Sequence, residues 1–260
     1  MKKETKEIVL ITSVLSSILA YETSYADDFI RYTISDTNEL PVNSERECVT
    51  VSLKDNCSSN TDIVIRVGEY PDKPGKRLIL NKPEYYNGLD VHYNSNDDNY
   101  YISEYYFNER LSNALYSYLK ANGVNVKLQD TLSKKGDLNS AGRIAKQSNP
   151  TIYLSIHTNS YASNSRGYLF VTNNDKLSKD VATRLSNSMK DNNMIPQRDN
   201  IINSGYIGEL NEKPGTINIL AELGFFSNPN EAQILSSDDY VNYMAKHMGD
   251  EIIKILESVK

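Results

Sequence analysis

From Arg77 to Glu257 the chain alternates between short apolar runs and longer stretches with helical periodicity, and this alternation restricts the fold more than any other feature. Arg77–Leu80, or in its place Leu89–Val91, reads as a short strand. Phe107, Leu111, Ala114, Leu115, Tyr118 and Leu119 recur at the spacing of one helical face. Asn122-Gly123 stops that helix, and Val124–Leu128 follows as a strand. Leu138–Lys146 reads as a helix ending before Pro150, followed by strands at Thr151–Ile156 and Gly167–Val171 and a helix over Ser178–Lys190. Ile217–Ala221 is a further strand, and Ser237-Asp238-Asp239 caps a last helix running through Glu257. The pattern predicts an α/β fold: a mainly parallel sheet flanked by helices on both faces. Sheets of this kind bind ligands at the carboxyl ends of their strands.

The N-terminal part has a different character. Lys2, Lys3 and Lys6 precede an apolar run from Ile8 to Ala20 that is short for a membrane span, and Ser24-Tyr25-Ala26 offers the small residues a signal peptidase reads. Residues 1–26 are therefore expected to be a signal peptide, with an uncleaved anchor as the alternative, and either places the rest of the chain outside the cytoplasm. Residues 27–75 read as a polar extension with β-like runs at Cys48–Leu53 and Asp62–Val67, and 76–260 as the main domain. Cys48 and Cys57 suit a small disulfide loop in an oxidising compartment, and with no histidine nearby they do not form a zinc site.

A net charge of −6 excludes the basic surplus that nucleic-acid binding requires. It also gives no long-range attraction to an anionic polymer, so specificity must come from a local site. The 19 tyrosines, against 5 phenylalanines and no tryptophan, suit either a polar-edged core or stacking on sugars.

Chemistry-bearing residues fall at the expected strand ends. Ser155-Ile156-His157-Thr158-Asn159-Ser160 places a histidine after one strand, and Glu222 follows the apolar run Ile219-Leu220-Ala221. An unpaired carboxylate is costly in a buried strand, so its presence suggests a function. Glu104 opens the first long helix, where the helix dipole favours an acid in any case. A hydrolytic zinc site needs about three His or carboxylate ligands and one open position.

The segment from Glu104 to about Glu231 resembles the zinc-dependent N-acetylmuramoyl-L-alanine amidase family, of the amidase-3 type. Glu104-Tyr-Tyr-Phe-Asn108 with Leu111 and Leu119 is similar to the family's ligand-bearing helix. Leu138, Arg143 and Ala145 are similar to its L…R…A helix, and Ser155–Ser160 to its S-[IL]-H-x-N motif. Arg198 sits where the family often has an arginine. Glu222-Leu-Gly-Phe-Phe-Ser-Asn-Pro-Asn-Glu231 is similar to its E-x-G-F-x-[ST]-N-x-x-[ED] signature, and the pieces occur in the family's order.

The resemblance implies a peptidoglycan substrate, Zn2+ as cofactor, Glu104 and His157 as zinc ligands, and Glu222 as the carboxylate that activates water and returns the proton to the leaving amine. Arg198 is assigned either to charge stabilisation near the site or to a surface ion pair. The family's first ligand lies in a D-x-G-H text at the end of its first strand. The nearest text here is Asp90-Val91-His92, which makes His92 the expected third ligand. Glu84 of Asn81-Lys82-Pro83-Glu84 is a second candidate, and absence of a third ligand is the remaining one. That last case describes a degenerate or partner-regulated wall-binding relative with weak zinc affinity, completed by a regulatory protein. His247, on the last helix near Met244 and Met248, reads as an ordinary helix residue.

Overall fold

The computed structural model describes residues 61–70, 75–81, 86, 89, 91–129, 149–173, 175–198, 202–203, 207, 210 and 215–259. The expected signal peptide, Cys48 and Cys57, Glu84, and the helix expected over 138–146 lie outside the described residues.

The elements in chain order are β1 (Ile63–Val67), β2 (Arg77–Leu80), β3 (His92–Asn94), β4 (Asn99–Ser103), α1 (Glu104–Ala121), β5 (Val126–Gln129), β6 (Ile152–Asn159), β7 (Leu169–Thr172), α2 (Lys176–Ser188), β8 (Ile202–Asn203), β9 (Ile217–Phe225), α3 (Pro229–Leu235) and α4 (Asp238–Val259). The main sheet has the order β5-β1-β6-β9-β7-β8. Strands β5, β1, β6 and β9 run parallel, whereas β7 pairs antiparallel with β9 and parallel with β8. The fold is α/β with a mixed, mostly parallel sheet. A second sheet, β2-β4-β3, is antiparallel.

Two placements differ from the sequence reading. Asp62–Val67, expected in the polar extension, instead holds β1, an interior strand paired on both sides. All five of its residues are buried, as a parallel strand covered on both faces requires. Arg77–Leu80 is a strand as expected, but it belongs to the small sheet and not to the main one.

Side chains alternate across each strand. Ile63 and Ile65 of β1, Ile152, Leu154 and Ile156 of β6, and Ile217, Ile219 and Ala221 of β9 join the main core. There they meet Phe107, Leu111, Leu115 and Leu119, the apolar face read from the sequence as the first long helix. Each such side chain contributes about 1.5–3 kcal/mol when fully buried. Alternation then assigns Arg66, Ser155, His157 and Glu222 to the opposite face of the sheet. Asn122 and Gly123, the latter at φ +79°, end α1. Ser237 Oγ accepts from the Tyr240 N–H and caps α4. Among the described residues no helix is long and apolar enough to cross a membrane.

Candidate metal and catalytic site

The carboxyl ends of β1 and β6 and the amino end of α1 meet at one place. β6 continues through His157 to Asn159, so the histidine lies within the strand. The residue is 7 % exposed, and its Nδ1 lies 3.4 Å from Glu104 Oε1. Glu104 is the first residue of α1, directly after β4. Asn108, one turn further on and wholly buried, fixes the helix end against both strands. Its Nδ2 donates to Gly68 O at 3.1 Å, and its Oδ1 accepts from Thr158 Oγ1 at 2.9 Å. The Glu104-x-x-x-Asn108 spacing thus puts a carboxylate and its anchor on one helix edge.

The third member of the cluster is Glu69. Donor atoms of Glu69, Glu104 and His157 all lie within 4.8 Å of one another, and this is the one such group among the described residues. Glu69 has φ +62°, a left-handed conformation uncommon for a residue with a side chain and frequent at functional sites. His92, the expected third ligand, is not a member of this group. It lies on β3 opposite Tyr101 of β4, its ring stacked on Tyr101 at 5.4 Å and tilted against Tyr106 at 4.9 Å.

The strand assignment explains why Glu69 escaped the sequence reading. With β1 inside the main sheet, the text at its carboxyl end is Arg66-Val67-Gly68-Glu69. It matches D-x-G-H in spacing and in its glycine, with Arg66 in place of aspartate and Glu69 in place of histidine. The glycine directly after the run Ile63–Val67 was the available signal. A Cβ at Gly68 would lie 2.5 Å from Ile156 O and 2.7 Å from two ring carbons of His157. We expect Gly68→Ala to displace the His157 ring, lowering stability by about 1–3 kcal/mol and weakening divalent-cation binding. Paired urea melts and cation titrations check this, and an unchanged affinity would show that the contact does not position the ring.

Gly75 closes the site from another side. At φ +75° it lies so near Glu104 that an added Cβ would be 2.9 Å from Oε2, and the adjoining Lys76 O accepts from the Glu104 N–H. Glu222 stands across the ladder from His157 on β9. Register partners on neighbouring strands, about 4.8 Å apart, share a face. Glu222 is therefore beside the cluster without belonging to it. Arg198 lies further out and is exposed. Its guanidinium sits 5.1 Å over the Phe225 ring, and Nη1 donates to Arg166 O. His247 stacks on Tyr243 at 4.0 Å along α4.

The donor set suits a divalent ion. Bonds of about 2.0–2.1 Å in a tetrahedron put neighbouring ligand atoms about 3.3–3.4 Å apart, the separation found between His157 Nδ1 and Glu104 Oε1. One imidazole and two carboxylates make a harder, more anionic set than the two imidazoles and one carboxylate implied by the family resemblance.

The family model described as N-acetylmuramoyl-L-alanine amidase matches residues 82–254, and the chain belongs to this family. Solved structures share its fold. An N-acetylmuramoyl-L-alanine amidase from Clostridium difficile 630 superposes with a TM-score of 0.60 at 19% identity, over 78% of this chain and 100% of that one. The amidase AmiC2 of Nostoc punctiforme gives 0.61 at 19%, over 76% and 98%. The CwlD amidase of Clostridioides difficile, solved in complex with the GerS lipoprotein, gives 0.58 at 22%, over 77% and 100%. No curated protein sequence matches the chain.

Proposed function

We propose that the chain is exported by residues 1–26 and hydrolyses the amide between N-acetylmuramic acid and the first L-alanine of the stem peptide, with Zn2+ held by Glu69, Glu104 and His157. The observation that carries this reading is the convergence of those donors beside Glu222 in a chain of the amidase family. A divalent ion held by Glu69, Glu104 and His157 would supply Lewis acidity for the lactyl carbonyl and lower the pKa of bound water towards neutrality. Glu222 accepts the proton from the attacking water as its oxygen joins the carbonyl carbon, then delivers that proton to the departing alanine nitrogen as the C–N bond breaks. The products are the lactyl carboxylate and a free L-alanine amine. Arg198, held over Phe225 three residues beyond Glu222, offers a guanidinium to the carboxylates of the stem peptide. His92 serves the aromatic wall formed with Tyr101 and Tyr106.

Digestion of purified wall tests the assignment. New N-terminal L-alanine without cuts inside the peptide is expected, along with stoichiometric zinc that Glu69→Ala and Glu104→Ala lose. Cleavage between peptide residues, or zinc retention in both variants, would overturn the assignment.

A second reading is favoured by Arg66, a buried cation in contact with His157. Here the chain holds metal weakly by itself and a protein partner completes the site. It predicts that the isolated chain clears no wall until the partner is added.

A further inference from the structure

In the family text the residue three before the first ligand is an aspartate; here it is Arg66, whose side chain is buried among the site's own residues. The residue is 1 % exposed. Its Nη1 lies 3.3 Å from Ser155 Oγ and 3.3 Å from His157 Nε2, and its guanidinium sits 5.3 Å from the centre of the Tyr70 ring. A guanidinium has five N–H donors, no acceptor, and keeps its charge throughout the accessible range. At His157 Nε2 it can only donate. The lone pair of Nε2 is thus engaged by Arg66, and in the neutral ring the proton resides on Nδ1, facing Glu104 Oε1.

This is the reverse of what a metal bond at Nδ1 requires. A ligating imidazole gives its lone pair to the ion and donates the proton on its other nitrogen to an acceptor such as a carboxylate. An aspartate at position 66 would be such an acceptor; an arginine opposes it. The fixed positive charge also lies one ring away from the place a dication would occupy, in a buried setting where charges are poorly screened.

We infer that Arg66 is a built-in competitor of the metal: it holds His157 with Nδ1 protonated toward Glu104, so that loading a divalent cation requires the guanidinium to leave Nε2. The substitution pair is chemically coherent. Relative to D-x-G-H, the R-x-G-E text moves a negative charge from beneath the histidine into the ligand set and puts a positive charge in its former place. The metal-free cluster is held together by its own hydrogen bonds, with affinity for the ion lowered in exchange. This inference rests on the reading of Glu69, Glu104 and His157 as a metal site.

The test is zinc affinity of the full chain by chelator competition, for the native protein and for Arg66→Met and Arg66→Asp, with nitrogen-15 spectra of His157 in the metal-free native protein. Removing the competitor is expected to tighten zinc binding by about 10- to 100-fold, the range in which outer-shell partners act. The spectra are expected to show Nδ1 protonated. A purely structural role for Arg66 predicts the opposite, weaker binding in both variants. Equal or weaker affinity in a folded variant, or a proton on Nε2 in the native protein, would overturn the inference. Absence of stoichiometric zinc in native and variants alike would overturn the metal-site reading and the inference with it. Should neither variant fold, the tautomer of the native ring decides.

Discussion

Glu222→Gln is expected to lower wall-lytic turnover by about 10²- to 10⁴-fold, the range that a positioned general base contributes. Glutamine matches glutamate in shape but takes up no proton near neutral pH, so it can neither accept from the attacking water nor supply the departing amine. The position isolates that effect. Glu222 is half-buried on β9, across the ladder from His157, and does not belong to the Glu69–Glu104–His157 cluster. Zinc affinity and the urea midpoint of the variant should therefore stay near those of the native chain while product formation collapses. Dye release from labelled wall, paired with a metal titration, reads both quantities. Activity within a factor of ten of the native rate would remove Glu222 from the chemistry and require another proton acceptor.

The sequence reading succeeded where a residue's placement is set by its own neighbourhood. The apolar face from Phe107 to Leu119 repeats at a helical period and stops at Asn122-Gly123, and α1 does the same. His157 and Glu222 are preceded by apolar runs, and those runs are β6 and β9, whose register brings the two residues side by side. It failed where the role depends on which strands pair. The run Ile63–Val67 carries a buried arginine, and the turn-rich residues that follow it suggested a peripheral hairpin. Only its pairing with β5 and β6 shows it to be interior. With that strand read as peripheral, the nearest histidine to the D-x-G-H pattern is His92, whose imidazole makes it the better zinc donor by residue type alone. Pairing of β3 with β4 places the His92 ring against those of Tyr101 and Tyr106. Residue chemistry pointed to histidine, while the structure places Glu69 beside Glu104 and His157. The abundant tyrosine divides similarly: Tyr153, Tyr168 and Tyr240 are fully buried, whereas Tyr93, Tyr100 and Tyr161 are exposed, a split that composition does not reveal.

Glu231→Ala is expected to cost about 2–6 kcal/mol of stability, about 1–3 for each of the two buried N–H groups it leaves unsatisfied. Glu231 ends the signature that begins at Glu222, yet its work is architectural. Its side chain is wholly buried; Oε1 accepts from the Gly167 N–H and Oε2 from the Phe225 N–H, each at 2.8 Å, with Arg166 Nε 3.6 Å away. Asn228 caps the same turn, its Oδ1 accepting from the Asn230 and Glu231 N–H groups and its Nδ2 donating to Ser165 O. The carboxylate thus ties the end of β9 to the chain entering β7, and alanine would leave two buried N–H groups without acceptors. Glu231→Gln keeps one acceptor oxygen but turns an NH2 toward the other N–H, so a smaller loss of about 1–3 kcal/mol is expected. For a domain whose total stability is about 5–15 kcal/mol, the alanine variant loses a large share of it. Urea unfolding of native protein and both variants gives the ranking directly. An alanine variant within 1 kcal/mol of the native chain would mean that water or a neighbouring side chain takes over both N–H groups, and that the arrangement of β9, turn and α3 does not depend on this carboxylate.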